Sequence, residues 1–444
     1  MKRREFVHLG LAGLGAVTLA QKGWPRGDAE IVITGEAPVK IPIAVVRPSL
    51  PAGADATLVK KAQELREGLI GDAEFSGRFE ILTSEAKLEE IAAKDRETGE
   101  ISFSDWWDTR AQAVIKTELE PSAEGYVFQY RIYDVGKREY KGGKKIEPRS
   151  DAMLRRALHL ASDDLLKRIC DVDGIAETRI AYIRRDGKAK ELFVMDYDGH
   201  PDSVRQITRD GGLCLFPSWH PSGKGIAFTS YRQRNPDLHY VDLEQGKRSP
   251  LSLFAGVNYG ASFHPKDGNT MVLTLSKDGN PEIYEVNTIT KKSRRLTNDP
   301  NVDCSPVYSP DGSRIAFTSG RSSRPHIYVM SADGTNQKAL TQGRYEDSAA
   351  WHPAGDWIAF AQKQPTTEDF DVCVIRPNGT GYKVLTQGNR HNESPEFSPD
   401  GRHIVFASNR DGQSQLYSMN LETGKTRRLT WQTGECFSPA WSPV

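Results

Sequence analysis

Residues 436–444, "CFSPAWSPV", end the chain on what looks like the opening of a repeated unit. The same pattern stands upstream as "SPVYSPDGSRIAFTS" from Ser305, "SPEFSPDGRHIVFAS" from Ser394, "SAAWHPAGDWIAFAQ" from Ser348 and "FPSWHPSGKGIAFTS" from Phe216, with a looser copy, "GASFHPKDGNTMVLTLS", from Gly260. The anchoring prolines Pro221, Pro265, Pro310, Pro353, Pro399 and Pro443 are spaced by 44, 45, 43, 46 and 44 residues. A period of that length without helical patterning belongs to a propeller or a solenoid. Within residues 307–341, "VYS" ends one strand, "PDG" turns, "RIAFTS" and "HIYVMS" are two more strands, and "QKALT" is a fourth. Four short strands per period make a propeller blade.

The sixth copy lacks its second half, and that half lies at the other end of the repeat region. Residues 179–208, "RIAYIRRDGKAKELFVMDYDGHPDSVRQIT", supply the missing strands in order. The strand around Trp441 is therefore expected to complete the blade that residues 179–208 begin, because an open ring would leave two unpaired strand edges. The sequence predicts an all-β six-bladed β-propeller over residues 176–444, closed by the C-terminal strand.

Ahead of it, residues 41–175 read as an α/β N-terminal domain. "IPIAVV", "RFEILT", "AQAVIKTELE" and "YVFQYRIYD" are strands, "ADATLVKKAQELREGLI" and "KLEEIAAK" helices, and "DAMLRRALHLASDDLLKRIC" a long amphipathic helix capped at Asp151. "CDVDGIAETR" is the linker into the ring. Residues 21–40 form an N-terminal arm whose β-prone stretch, "EIVITG", has no evident partner strand.

Residues 1–20 place Lys2, Arg3 and Arg4 before a short apolar run ending in small residues, the pattern of an export signal peptide. The "RREF" start resembles the twin-arginine class. No later stretch approaches the roughly 18 apolar residues a membrane span needs. The 59 basic and 59 acidic side chains balance, which removes the electrostatic footprint of a nucleic-acid binder. Five cysteines are too scattered for a disulfide framework. Cys214 and Cys436 occupy equivalent repeat positions, but inner strands of adjacent blades are expected to exceed the roughly 7 Å Cα limit for a bridge.

No catalytic motif is present: no G-x-S-x-G, H-E-x-x-H, phosphate-binding glycine loop or C-x-x-C. Neither a catalytic residue nor a metal site or cofactor is expected. "MDYDGHPD" falls on a strand and turn of a blade, which explains it better than a calcium loop. His220, His264 and His352 share their slot before the anchoring proline with Ser309, Ser398 and Ser442, as turn hydrogen-bonders do and metal ligands do not. Loops entering the innermost strands converge on the channel mouth. They carry Asn258 and Tyr259, then Asp303 and Cys304, then Tyr345, Glu346 and Asp347, then His391, Asn392 and Glu393, an acidic funnel suited to a basic partner.

The export signal, "EIVITGEAPVKIPIAVV", the α/β domain, "TRIAYI", "LSKDGNPEIYEVN" and "PAWSP", in that order, resemble the TolB family of periplasmic Tol-Pal components over essentially the whole mature chain. The resemblance implies a non-enzymatic periplasmic adaptor supporting envelope integrity during cell division. It implies that the channel mouth binds a Pal-like peptidoglycan-associated lipoprotein, through Val257, Asn258, Gly260 and Ala261 and through Asp303 and Cys304. It also implies that the arm, Glu30, Ile31, Val32, Ile33, Thr34 and Gly35, contacts a TolA-like inner-membrane protein. The arginine-pair signal and "PIAVVRP" depart from the usual family form. An alternative from another class is a secreted propeller that binds a peptide or small ligand, or that accompanies a peptidase.

Overall fold

The computed structural model describes residues 39–387 and 390–443. The signal peptide and most of the arm, including Glu30 to Gly35, lie outside the described residues. The α/β domain runs β1 (Ile41–Val45), α1 (Ala56–Phe75), β2 (Phe79–Ile81), α2 (Glu85–Thr98), α3 (Phe103–Asp108), β3 (Ala113–Ser122), β4 (Gly125–Asp134), β5 (Glu139–Ile146) and α4 (Asp151–Cys170). Its sheet has the order β2-β1-β3-β4-β5, with β1 parallel to both neighbours and β3, β4 and β5 antiparallel.

Alternation along β1 explains its apolar run. Ile43 and Val45 pack with α1 and α4 on one face, while Ala44 and Val46 pack with α2 and α3 on the other. Two elements escape the sequence pattern. Strand β5, "EYKGGKKI", is a polar edge strand. Helix α3 is a single short turn-and-a-half, fixed by the buried Trp106, whose Nε1 donates to Asp95 across 2.8 Å. The cap of α4 also differs from expectation: Ser150 Oγ accepts the Met153 N–H, and Asp151 is the first helical residue. The serine holds extended backbone there, as a capping residue must.

Six four-stranded sheets follow, and the last pairs Glu435–Trp441 with Arg179–Asp186, Ala189–Asp196 and Arg205–Gln206. Trp441 stands opposite Ile180 and Ala440 opposite Ala181. Blades 1 to 5 have inner strands Cys214–Trp219, Asn258–Phe263, Asp303–Tyr308, Glu346–Trp351 and Asn392–Phe397; Glu435–Trp441 is that of blade 6. The second strands are buried on both faces because each sheet is sandwiched. Ile315 and Phe317 pack on blade 2, whereas Ala316 packs against Trp351 and Ile358 of blade 4.

The threonine that ends five repeats, after leucine in four and after Ile207 in the fifth, has a structural cause. Thr208, Thr297, Thr341, Thr386 and Thr430 accept the third-strand N–H groups of Leu192, Ile283, Ile327, Val372 and Leu416 at 2.8–3.0 Å. Each hydroxyl then donates to a neighbouring Glu191, Glu282, Glu346, Asp371 or Gln415. The histidines before the anchoring prolines are inter-blade wedges. His220, His264 and His352 sit edge-on to Phe263, Tyr308 and Phe397 of the next blade, with centroids 5.0–5.1 Å apart. Their Nε2 atoms occupy the space a Cβ would need at Gly268, Gly312 and Gly401.

The α/β domain packs on the ends of blades 5 and 6 opposite the loops that enter the inner strands. Phe75, at the end of α1, stacks on His403 (4.4 Å) and meets Tyr197 edge-on (4.9 Å). Arg78 pairs with Glu422 at 2.5 Å. The channel mouth on the other face is left uncovered by this domain.

Candidate functional site

Every inner strand carries a bulge at the same place, three residues before its anchoring aromatic. Phe216, Gly260, Ser305, Ser348, Ser394 and Ser438 there have φ between 45° and 62°. An added residue in the left-handed region turns the strand sharply and re-aims the side chains before it. Serine, glycine and one phenylalanine meet the requirement, and at Gly260 a Cβ would approach Ser305 Cα to 3.3 Å.

The side chains five residues before each aromatic turn into the sheet. This corrects the expectation for Asn258, Asp303, Glu346 and Asn392, all of which are at most 1 % exposed. Asn258 ties Ser252 Oγ (2.6 Å) to the Phe254 backbone. Asp303 accepts from Arg321 Nη2 at 2.5 Å, and Asn392 from Arg410 Nη2 at 3.1 Å. Glu346 accepts from Gln362 Nε2 (2.6 Å), the Gly343 N–H (3.0 Å), Thr341 and His326 Nδ1 (2.8 Å). A buried carboxylate is tolerated only when saturated in this way. Glu346 therefore holds its blade together and presents no charge to the mouth.

The next residues form a ring around the opening. Phe216 contacts Tyr259 (5.4 Å), and burial raises the Tyr259 hydroxyl well above its usual range, with the Cys304 thiol beside it. Burial pushes Cys304 up to about 12, so it stays a thiol. Asp347 and Glu393 come next. Burial, then the charge of Glu393, pushes Asp347 up to about 7. Glu393 accepts from His391 Nε2 at 2.9 Å, and although burial opposes charge on His391, that bond raises its pKa. An aromatic wall backs them: Tyr345 meets Phe370 edge-on (5.4 Å), and Phe370 meets His391 (5.0 Å). Of the loop residues, Val257 is held by its N–H on Ser276 Oγ (2.9 Å) and Ala261 is buried.

Asp347, Glu393, His391 and Tyr345 are thus brought together, with Tyr259 and Cys304 beside them. Sequence reasoning missed Phe370, Phe437, Glu396 and Lys190. Phe437 is at the ring position of blade 6 and could have been found by counting four residues back from Trp441. Burial pushes Glu396 up to about 8. Lys190 comes from the far end of the domain, and ring closure lays its Nζ over the Phe437 ring at 4.5 Å, near Glu393. No sequence signal marks it.

Among the described residues one group has metal-like geometry, His159, Asp196 and Asp198, with ligand atoms within 4.8 Å. Arg155 already neutralises it, with Nε 3.1 Å from Asp196 and Nη2 2.5 Å from Asp198. His159 Nδ1 donates to Asp72 of α1 (2.9 Å), which also accepts from Tyr197 (2.6 Å). The group is a clamp between the domains, and "MDYDGHPD" supplies its propeller half. All five cysteines, including Cys214 and Cys436, are free thiols. No helix among the described residues is long and apolar enough to cross a membrane.

Comparison with known proteins agrees along the chain. The family described as the TolB amino-terminal domain matches residues 29–140, and the TolB beta propeller domain matches residues 166–444. The Tol-Pal system protein TolB of Bordetella pertussis is 27 % identical over 436 residues, covering 97 % of this chain and 95 % of the relative, and that of Bordetella bronchiseptica aligns to the same extent. The crystal structure of TolB from Acinetobacter baumannii superposes with a TM-score of 0.76 at 28 % identity, over 94 % of this chain and 98 % of that one.

Proposed function

This chain belongs to the TolB family and is thereby a Tol-Pal system component, and on that premise we propose that it is a non-catalytic periplasmic adaptor. Its channel mouth captures a Pal-like lipoprotein, and its N-terminal arm, Glu30 to Gly35, engages a TolA-like inner-membrane protein. The observation that carries the mouth reading is the pair Asp347 and Glu393. They are partly exposed, have His391 and the more distant Lys190 as cationic neighbours, and are backed by Tyr345 and Phe370. Two carboxylates in that setting favour a partner that brings a lysine or arginine with an apolar stem. Cys304 and Tyr259 complete a neutral wall, suited to packing rather than to charge.

Isothermal titration of the soluble Pal domain from the same organism tests this. Asp347→Lys with Glu393→Lys should abolish capture while leaving the unfolding transition in place, and unchanged capture would refute the site. Glu346 is left intact in this variant because it is structural. Deleting residues 28–36 should remove binding of the TolA-like domain and spare Pal. Loss of both would make the arm structural.

A further inference from the structure

The mouth face carries an exposed tryptophan. Trp431 follows the outer strand of blade 5 (Thr426–Arg428) and opens the loop into Glu435–Trp441, so it stands on the same face as His391 and Glu393. It is 65 % exposed, and its ring is braced by the Arg428 guanidinium 4.5 Å from the ring centroid, which leaves the indole presented rather than packed. Its loop is pinned by Gln415 Nε2 donating to the Gly434 carbonyl (2.8 Å). A large aromatic held rigid and in water is the composition of an interface hot spot, where few rotamers are lost on binding.

Reach decides whether it belongs to the mouth. Three strand spacings of about 4.8 Å put the outer strand about 14 Å from the inner one. A standard interface of about 800 Å² per partner has a radius of roughly 16 Å if circular. A partner footprint centred near Glu393 would therefore reach Trp431. Leu253, the exposed residue at the equivalent place after blade 1, lies on the side of the ring away from this acidic pair.

Resting on the reading above, we propose that the docking surface is off-centre, built on blades 4 to 6, with Trp431 as its apolar anchor and Asp347 and Glu393 as its charged pair. The occupant is the folded Pal-like domain, meeting the surface with a cationic side chain beside an apolar patch.

Titration of the soluble Pal domain into the full-length mature protein and its variants tests the placement. Trp431→Ala should weaken binding at least tenfold with unfolding unchanged, Trp431→Phe should restore most of it, and Leu253→Ala should change it less than twofold. Binding by Trp431→Ala within twofold of the parent would overturn the placement, as would an equal loss from Leu253→Ala. Failure of the parent protein to bind the Pal domain would instead overturn the partner reading, and the placement with it.

Discussion

Trp441 Nε1 donates to Thr178 Oγ1 across 2.8 Å, joining the last inner strand to the residue that precedes its neighbour in the sheet, 263 positions earlier. Ser442 doubles the link: its N–H donates to the Arg179 carbonyl (2.8 Å), and its Oγ accepts the Arg179 N–H (2.9 Å). Trp219 Nε1 also donates to the Ala440 carbonyl at 2.9 Å, so blade 1 reads the closure as well. The ring is sealed by side chains in addition to the strand ladder.

Trp441→Ala should therefore cost about 3–5 kcal/mol, a large aromatic lost from a packed site together with a buried hydrogen bond. Deleting residues 435–443 should go further and leave open strand edges that associate. Urea unfolding measures the first and size-exclusion chromatography the second; a monomeric, equally stable truncation would contradict the closure.

Gly401→Ala should destabilise the ring by about 1–3 kcal/mol, since φ is +71° and the new Cβ would lie 2.2 Å from His352 Nε2. Introducing His352→Ser, the residue type found at Ser309 and Ser398, should recover part of the loss by removing the wedge. Thermal unfolding of the single and double variants distinguishes the steric from the dihedral share.

The interdomain clamp predicts a pH-dependent penalty. Burial disfavours charge on His159, but Asp72 outweighs it and raises the pKa to about 10. A cationic group whose pKa is raised on folding stabilises fully below its ordinary value near 6.5, and the contribution is gone once pH passes about 10. Asp72→Asn should cost about 3–5 kcal/mol near pH 6. The difference from the parent protein should narrow toward pH 10, as followed by urea unfolding across that range.

Partner capture should strengthen between pH 6 and 8. Asp347, pushed up to about 7, gains its negative charge in that interval, and His391 sheds positive charge as pH rises. Both changes make the mouth more negative and favour a cationic partner. The same raised pKa means that the isolated ring loses stability as pH climbs from about 4 to 7, so Asp347→Asn should stabilise the free protein above pH 7 while flattening the binding profile. Calorimetry at several pH values checks both arms.

The propeller was legible because its signal is redundant: six copies of one turn, with apolar strands between, cannot be placed otherwise without exposing edges. The α/β elements were legible where alternation or helical spacing recurs over ten or more residues, as in α4. Edge strand β5 and the six-residue α3 carry no such pattern, since a half-exposed edge needs few apolar residues and α3 hangs on one buried tryptophan.

At the mouth, sequence could name the loops that enter the inner strands but could not say which of their side chains face out. Glu346 and Asp347 are adjacent and both acidic. The bulge at Ser348 and the saturating partners of Glu346 turn one inward and leave the other open. Lys190 joins the same face only because the chain ends meet. Local patterning determined the strands, the turns and the number of blades, because those depend on neighbours in the chain. Only the folded ring decided which charges remain uncompensated, because a carboxylate's fate depends on donors brought to it from distant strands.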